Sequence, residues 1–405
     1  MMSAEPRRNA NVLVLTGYFD WFGGYQETVL ASCLAQYANT EVIASTHVNR
    51  MFSDEQLIQM GIDREYSIGS RVENGVKVTR FRTREVRNMQ WSSDIRSYIE
   101  HQDYDLIIQV APGQVLPLAG SLARSSAVRA VLYGDNRAMW AGLSIASRAL
   151  KWAAFAASKG ALYAYVNHHA DFVFGYTPNT VKRLRWFSAG KKMNLLPLGF
   201  DPQTFGFDAR LRARTRMKLG YRPSDIVLVT AGKFREGKRL EVLVEAFRRL
   251  IPDNPRLRLL LVGAGQGGYS NNIRRLVGDD RILAERTTVR AFISAEGLNE
   301  IFNAADIGVW PSMPAITIQQ SLGTGLYSVL PNNDLVGHLL APGAGAYFDA
   351  DDGILEKLTS ALRAAIERCY CDSDRAKRER NNAWLGGECI SLSLLRTAGV
   401  YLGEP

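Results

Sequence analysis

Strand and helix patterns alternate along the whole chain, and this alternation limits the possible folds more than any other feature. Short apolar runs with strand character each lead into a segment with helical periodicity. This order is typical of α/β proteins, in which helices cover a parallel sheet. The predicted strands are 11–16, 41–44, 76–81, 105–109, 127–133, 171–175 and 193–196 in the first half, and 226–230, 258–262, 288–291, 307–309 and 327–330 in the second.

A hydrophilic, arginine-rich segment covers residues 208–224, and the alternation restarts at residue 226, so we place the domain boundary near residues 201–222. At about 150 residues per domain, a chain of 405 residues suggests two or three domains. We predict an N-terminal Rossmann-like domain over 1–203 and a C-terminal Rossmann-like domain over 204–385. The last segment, 386–405, is expected to pack back on the N-terminal domain.

The net charge of +9 is concentrated in one region, residues 138–220, which holds thirteen Lys and Arg against three Asp and Glu. Such a block suggests an acidic partner, either an anionic membrane surface or nucleic acid. Nucleic acid is the weaker alternative, because the block lacks interleaved stacking aromatics on a recognisable module.

The four cysteines fit neither a zinc site nor a disulfide framework. No secretory signal or uncharged run of about 18 apolar residues is present. We therefore predict a cytoplasmic protein, with the inner face of the membrane as a site of peripheral attachment.

The segment Ile226–Phe247 combines a buried strand, a turn with Gly232, two lysines and an amphipathic helix. Lys233 and Lys238 follow the carboxyl end of the strand, where an open parallel sheet binds phosphate-bearing ligands. The alternative is solvated charge beside a turn. Residues 259–268 read LLLVGAGQGG, and Gly263 and Gly265 there would allow the backbone to approach a nucleotide closely.

The order of VTAGKFREGKRLEVLVEAF, LLLVGAG, VRAFIS, LNEIFNAADIGVWPS and SLGTGLYSVL resembles retaining GT-B glycosyltransferases of family four, the glycosyl transferases group 1. The resemblance implies two Rossmann-like domains with parallel sheets facing a central cleft. It places Lys233 and Lys238 on the donor diphosphate, and Phe292 and Ile293 where backbone groups meet the nucleobase. Gly325 ends a helix whose N-terminus would face the donor phosphates.

One motif departs from the family pattern, which has two glutamates seven residues apart before this glycine. Ser312 and Gln320 occupy the two positions. A glutamine can still accept a hydrogen bond from a ribose hydroxyl, but the charge-assisted bond is lost. We expect Thr317 and neighbouring backbone N–H groups to replace part of the missing contact with the donor sugar.

The first half carries weaker motifs that resemble the same family. Gly23 and Gly24 follow the first strand and resemble a loop that approaches the donor phosphates and the acceptor. In VLYGDNR, Tyr133 stands where many relatives have histidine, and Asp135 is a candidate acceptor-side base. The alternative for Asp135 is a helix N-cap, and one residue can serve both purposes.

Two further features concern surfaces. The alanine-rich segment 140–166 is either an interfacial helix or a core helix with snorkelling lysines. A second basic run is either solvated or meets a phosphate-bearing acceptor; it comprises Arg80, Arg82, Arg84 and Arg87.

The sequence therefore predicts a retaining, metal-independent hexosyltransferase that uses a UDP- or GDP-sugar as donor substrate and needs no cofactor. Its acceptor would be a glycan or a lipid-linked molecule of the cell envelope, and nucleic acid is not expected as a partner. The departure at Ser312 and Gln320 motivates an alternative, a catalytically silent homologue that acts as a binding or scaffold subunit. A nucleotide-sugar 2-epimerase is a further alternative. Such an enzyme is expected to have paired acidic and histidine residues in its cleft, and this sequence does not show them clearly.

Overall fold

The computed structural model describes residues 10–371 and 399, except for 24–25, 51, 53, 55–56, 59–60, 87–88, 135–143 and 198. The chain divides into two compact units between residues 198 and 199. The predicted boundary, between 203 and 204, lies a few residues later. The predicted final segment, 386–405, lies outside the described residues apart from Gly399.

The N-terminal unit is built on an eight-stranded sheet in the order β10-β9-β8-β7-β1-β2-β4-β3. All neighbouring strands are parallel except β3 and β4. The strands are β1 Asn11–Leu15, β2 Asn39–Ser45, β3 Gly69–Glu73, β4 Val76–Phe81, β7 Leu106–Val110, β8 Val128–Tyr133, β9 Phe172–Gly175 and β10 Met193–Leu195, and a separate hairpin is formed by β5 Arg84–Val86 and β6 Met89–Trp91. The seven strands predicted for this half are confirmed, and β3, β5 and β6 were not predicted.

Helices cover both faces of this sheet because neighbouring residues of each buried strand point to opposite sides. In β1, Val12 and Val14 pack into one apolar cluster, whereas Leu13 and Leu15 pack into another. The helices are α1 Gln26–Leu34, α2 Asp94–Glu100, α3 Ala119–Leu122, α4 Ile145–His168 and α5 Pro178–Leu184.

The C-terminal unit contains a six-stranded, fully parallel sheet in the order β13-β12-β11-β14-β15-β16. Its strands are β11 Ile226–Ala231, β12 Leu257–Ala264, β13 Thr287–Ala291, β14 Ile307–Val309, β15 Tyr327–Pro331 and β16 Gly345–Phe348. Its helices are α6 Ala209–Lys218, α7 Leu240–Leu250, α8 Gly268–Gly278, α9 Arg281–Arg286, α10 Ala295–Ala304, α11 Ile316–Gly323 and α12 Ile354–Cys371. The prediction of two Rossmann-like units is confirmed, and only β16 of this sheet was not predicted.

The arginine-rich segment 208–224 is helical over most of its length, because α6 occupies Ala209–Lys218. Asp208 caps the helix by accepting hydrogen bonds from the backbone N–H groups of Arg210 and Leu211. Arg212 and Arg216 are buried and lie 2.6 Å and 3.2 Å from the two carboxylate oxygens of Asp306. The ion pairs allow an arginine-rich helix to pack against the domain, so these two charges do not belong to an exposed basic surface.

The second basic run is also divided by the fold. Arg80 is buried, its guanidinium stacks 3.5 Å from the ring centre of Tyr66, and it donates to the backbone oxygens of Ser45 and Phe19. Arg82 and Arg84 are exposed, and Arg87 lies outside the described residues. Arg80 therefore stabilises the fold and is not available to an acceptor.

The alanine-rich segment forms α4, whose two halves differ. In the second half, Gly160, Tyr163, Val166 and Asn167 are buried against the sheet. Every residue from Ser144 to Lys151 is exposed, by contrast. The second half is thus a core helix, as one alternative predicted. No described helix is both long and apolar enough to cross a membrane.

Candidate functional site

The strand order of the C-terminal sheet places a crevice at the carboxyl ends of β11 and β14. Successive strands run outwards from β11 in one direction as far as β13, and the chain then returns to β14 on the other side of β11. The chain segments that follow β11 and β14 lead to opposite faces of the parallel sheet. Such a divergence leaves room for a ligand between the loops at the carboxyl ends of the two strands. The sequence motifs with Lys233, Lys238 and Ser312 follow these two strands.

The carbonyl oxygen of Ala231, the last residue of β11, joins three elements around this crevice. It accepts hydrogen bonds from Trp310 Nε1 at 3.0 Å and from Thr317 Oγ1 at 2.8 Å. Trp310 follows β14, and Thr317 lies in the first turn of α11. The Thr317 hydroxyl proton is thus used within the protein, and the residue fixes the start of α11 rather than projecting into open space.

Two glycines bring the backbones after β11 and β12 together. Gly232 and Gly263 have φ angles of +128° and +112°, a region that favours glycine. A Cβ atom on Gly263 would lie 2.4 Å from the Gly232 carbonyl oxygen. The Gly232 N–H donates to Val262 O at 3.0 Å. No side chain therefore separates the two turns, and Gly232 is partly exposed at this edge of the sheet.

Lys238 is the buried cation of this crevice, with 6% of its surface exposed. Its Nζ donates to Pro314 O at 3.1 Å. A Cβ atom on Gly232 would lie 3.9 Å from this Nζ, so the ammonium group faces the turn after β11. Burial, aided by the nearby charge of Arg235, lowers the pKa of Lys238 to about 7. Such a lysine regains its charge when an anion binds next to it.

The other predicted donor contacts are placed around the same edge of the sheet. Lys233 is exposed, and so is Gly265, whose N–H donates to Ser270 Oγ at 3.0 Å. Phe292 directly follows β13 and is 65% exposed, whereas Ile293 packs partly against the core. The fold thus brings the carboxyl ends of β11, β12 and β13 to one edge, as the resemblance implies.

The two positions that replace the glutamate pair differ in their surroundings. Ser312 is partly buried in the loop between β14 and α11. Gln320 is 4% exposed, and its Oε1 atom is buried without a hydrogen-bond partner. Gly325, at φ +70°, ends the helix. A buried acceptor without a donor is uncommon, and a ligand hydroxyl would satisfy it.

The N-terminal candidates are divided between described and undescribed residues. Gly23 ends a single 3₁₀ turn after β1, and Gly24 and Asp135 lie outside the described residues. Tyr133 is buried, and its hydroxyl donates to Asn167 Oδ1 at 2.8 Å. Burial holds the pKa of Tyr133 well above its ordinary value. The fold therefore uses this side chain in the core rather than at an open surface.

Two groups of polar side chains in the N-terminal unit were not singled out from the sequence. Glu27 lies in the first turn of α1, and burial raises the pKa of its carboxyl to about 7. Glu85 accepts from the Tyr18 hydroxyl at 2.5 Å and lies 2.8 Å from Arg50 Nε. Glu27 differs from other carboxylates by its desolvation, and Glu85 by its pairing with residues distant in the sequence. Neither property leaves a pattern in the sequence.

No group of three or more His, Cys, Asp or Glu side chains in the described part of the chain is arranged to hold a metal ion.

Comparison with known proteins agrees with this geometry. Residues 225–370 match the model of the family described as glycosyl transferases group 1. A D-inositol 3-phosphate glycosyltransferase from Stackebrandtia nassauensis is 35% identical over 128 residues, which are 30% of this chain and 28% of that protein. The similar segment thus spans less than a third of the relative's length.

Solved structures resemble the chain over nearly its full length. Sucrose-phosphate synthase from Thermosynechococcus elongatus is 17% identical with a TM-score of 0.67, covering 96% of this chain and 98% of that chain. Anabaena HepE in complex with UDP is 14% identical with a TM-score of 0.65, covering 97% and 100%. At these identities the likeness shows the fold alone. The C-terminal unit is thus similar to the glycosyl transferases group 1 over residues 225–370, and the fold of the chain is the GT-B fold of two Rossmann-like domains.

Proposed function

We propose that this protein is a retaining glycosyltransferase that moves a hexose from a nucleoside diphosphate sugar to an acceptor hydroxyl. One observation carries the proposal: a buried lysine, Lys238, faces the glycine turn at the switch point of the C-terminal sheet. A buried ammonium group without a carboxylate partner is unfavourable unless an anion binds there. The matched segment, 225–370, contains this whole crevice.

The chemistry assigned to this crevice is stabilisation of the leaving group. When the bond between the anomeric carbon and the diphosphate breaks, negative charge develops on the diphosphate. Lys238 and Lys233 would neutralise that charge, together with the free N–H groups at the start of α11, a role that other enzymes give to a metal ion. We therefore propose a metal-independent transfer that needs no cofactor, with a UDP- or GDP-sugar as the donor.

The acceptor is proposed to be a glycan or a lipid-linked hydroxyl compound of the cell envelope, used at the inner face of the membrane. Asp135 remains the candidate from the sequence for the acceptor-side base. Glu27 is a second candidate, because burial raises the pKa of its carboxyl to about 7, near physiological pH.

A panel of ligands tests the donor assignment. UDP, GDP, ADP and their common sugars are added to the full chain, and the shift in melting temperature is measured. We expect one nucleotide to stabilise the protein, since ligand that binds only the folded state raises its stability. The donor that binds is then tested for hydrolysis. No stabilisation by any nucleotide would favour the silent homologue that acts as a scaffold, and donor binding followed by hydrolysis would exclude it.

Gln320 provides a second prediction. If its unpaired oxygen accepts a donor hydroxyl, Gln320→Leu should weaken donor binding by roughly tenfold, the value of one neutral hydrogen bond. The melting temperature should not fall, because the substitution removes a buried acceptor that has no partner in the free protein. Isothermal titration calorimetry with the stabilising nucleotide measures the first effect, and calorimetric melting measures the second.

Gln319 is the matched control for this prediction. Its amide nitrogen, in the orientation that satisfies both polar atoms, donates to the Ile316 and Ala315 carbonyls at 3.1 Å and 2.9 Å. Gln319→Leu should therefore lower the melting temperature and change donor affinity less. Unchanged affinity in Gln320→Leu would remove Gln320 from the donor contacts.

A further inference from the structure

A cavity of about 550 Å³ lies in the N-terminal unit, between α5, β10 and the loop that joins them. Its lining combines apolar and cationic side chains. The apolar part is formed by Pro178, Val181, Met193 and Leu195, and the cationic part by Lys182, Arg185, Lys191 and Lys192. Nothing in the proposed transfer reaction uses these residues.

The cationic side chains of this cavity have no acidic partner in the part of the chain that the structure describes. The segment from Phe172 to Phe200 contains five Lys and Arg and no Asp or Glu. Lys182, Arg185, Lys191 and Lys192 are all exposed, and within the described residues none of the four makes an ion pair. Four unpaired cations around one cavity create a local positive potential that attracts anions.

Exposed apolar groups lie next to these charges. Trp186, between Arg185 and the loop, is 83% exposed, and Leu195 is 41% exposed. The first half of α4 extends the same surface, because Trp152 packs 5.8 Å from Phe187 and lies under the Arg183 guanidinium. Ile145, two turns before Trp152, is 84% exposed. These exposed apolar side chains adjoin the cations of the cavity, and apolar groups rimmed by charge, unlike a single exposed side chain, are typical of an interaction surface.

We propose that this surface, the α5–β10 cavity with Trp186 and the start of α4, docks the protein on a membrane containing anionic phospholipids. The cations would hold lipid phosphates, the cavity would admit a headgroup, and Trp186 and Ile145 would enter the boundary between headgroups and acyl chains. Charge alone would equally suit nucleic acid or free phosphate. The adjoining exposed tryptophan and isoleucine favour a lipid, which offers both an anion and an apolar phase.

The test compares two variants of the full chain with equal loss of charge. Lys182→Gln/Lys191→Gln/Lys192→Gln removes three cations from the cavity. Arg71→Gln/Arg96→Gln/Arg124→Gln removes three exposed cations elsewhere on the same unit. Binding is measured by co-sedimentation with vesicles of phosphatidylcholine and phosphatidylglycerol, with pure phosphatidylcholine vesicles as reference. Melting temperatures confirm that both variants are folded.

We expect the lysine variant to bind the anionic vesicles on the order of 100-fold more weakly, at about fivefold per cation near the surface. The arginine variant should bind these vesicles only a few-fold more weakly than the wild type. Trp186→Ala should weaken binding at both low and high salt, because its apolar contribution is not screened, whereas the lysine effect should disappear at high salt.

Four results would overturn the proposal. The lysine variant could bind the anionic vesicles as tightly as the wild type does, or the arginine variant could lose as much affinity as the lysine variant. Inorganic phosphate could release the protein from the vesicles, which would indicate a site for the free ion. A single-stranded oligonucleotide could bind more tightly than the vesicles and depend on the same lysines. The proposal rests on the membrane location given in the proposed function and assigns a surface to it. None of these measurements requires a nucleotide sugar, so a failure of the docking surface is distinguishable from a failure of the proposed transferase activity.

Discussion

Lys238→Met is expected to weaken binding of the donor nucleotide by roughly 10- to 100-fold, while making the protein more stable. The loss follows from removing a charge-assisted hydrogen bond to the diphosphate, which contributes about 1.5–3 kcal/mol. The gain follows from replacing a desolvated ammonium group, only 6% exposed, by an apolar side chain of similar length. We expect the free energy of unfolding at neutral pH to rise by roughly 1–3 kcal/mol.

The pH dependence of stability provides a separate test of the same residue. Lys238 has a pKa of about 7 in the folded protein, against an ordinary value of 10.5. Between these values the unfolded chain binds a proton that the folded protein has lost, so wild-type stability should rise with pH. Lys238→Met should lack this rise. Chemical denaturation at pH 7 and at pH 9 compares the two proteins.

Donor affinity should change in the opposite direction. The diphosphate of a nucleotide sugar stays fully ionised through this interval, so Lys238 supplies the titrating charge. Above pH 7 the free lysine must take up a proton on binding, and affinity should fall by up to about tenfold per pH unit. Calorimetry in buffers of different ionisation enthalpy measures that proton uptake directly.

Lys218 provides the control for these experiments. It is exposed and pairs with Glu300 at the surface, so Lys218→Met should leave nucleotide affinity unchanged and stability nearly so. If Lys238→Met binds and turns over the donor like the wild type, the assignment of Lys238 to the diphosphate is wrong. A fall in stability would show that the ammonium group already has a compensating partner in the free protein.

Asp306→Asn is expected to lower the free energy of unfolding by about 3–5 kcal/mol, because it leaves two buried guanidinium groups without their carboxylate. Asp306 lies 2.6 Å from Arg212 Nη2 and 3.2 Å from Arg216 Nη1, and it accepts from Val227 N at 2.8 Å. The carboxylate thus joins α6 to the first strand of the C-terminal sheet. Denaturation monitored by circular dichroism measures the change.

Acid titration distinguishes the effect of losing the Asp306 charge from the effect of changing the shape of its side chain. Burial alone would raise the pKa of Asp306, but Arg212 and Arg216 outweigh it and hold the pKa below its ordinary value of 3.8. Its contribution to stability is therefore present above that ordinary value and is lost as the pH falls through the lower pKa of the folded state. The difference between wild type and Asp306→Asn should shrink in the same interval.

Glu300→Gln is the matched control, because Glu300 pairs with Arg214 and Lys218 on the exposed side of the same helix. Surface pairs of this kind contribute about 0–1 kcal/mol. Equal effects of Asp306→Asn and Glu300→Gln would mean that the buried pairs add nothing beyond a surface ion pair. Such a result would contradict the structural role given to α6.

Periodic patterns along the chain are sufficient to predict most strands of both sheets. The predicted strands at 76–81 and 307–309 agree with the fold to the residue. The strand at 307–309 is a short apolar run, whereas the strand at 76–81 alternates apolar with polar residues. The segment around Lys233, Lys238 and Gly263 is likewise recognisable from local order. In each case the physical requirement acts between residues close together in the sequence.

Pairing between distant residues could not be predicted in this way. Arg212 and Asp306 are 94 residues apart, and only the folded chain turns a hydrophilic, arginine-rich segment into a helix with two buried arginines. Tyr133 was named as a substrate contact because it stands where relatives have a histidine, whereas its hydroxyl donates to Asn167 in the core. The sequence by itself therefore determined the strand and helix pattern and the residues that line the switch point of the C-terminal sheet. The tertiary structure decided which charges are buried, paired or open to a ligand, because desolvation and pairing depend on neighbours that only folding brings together.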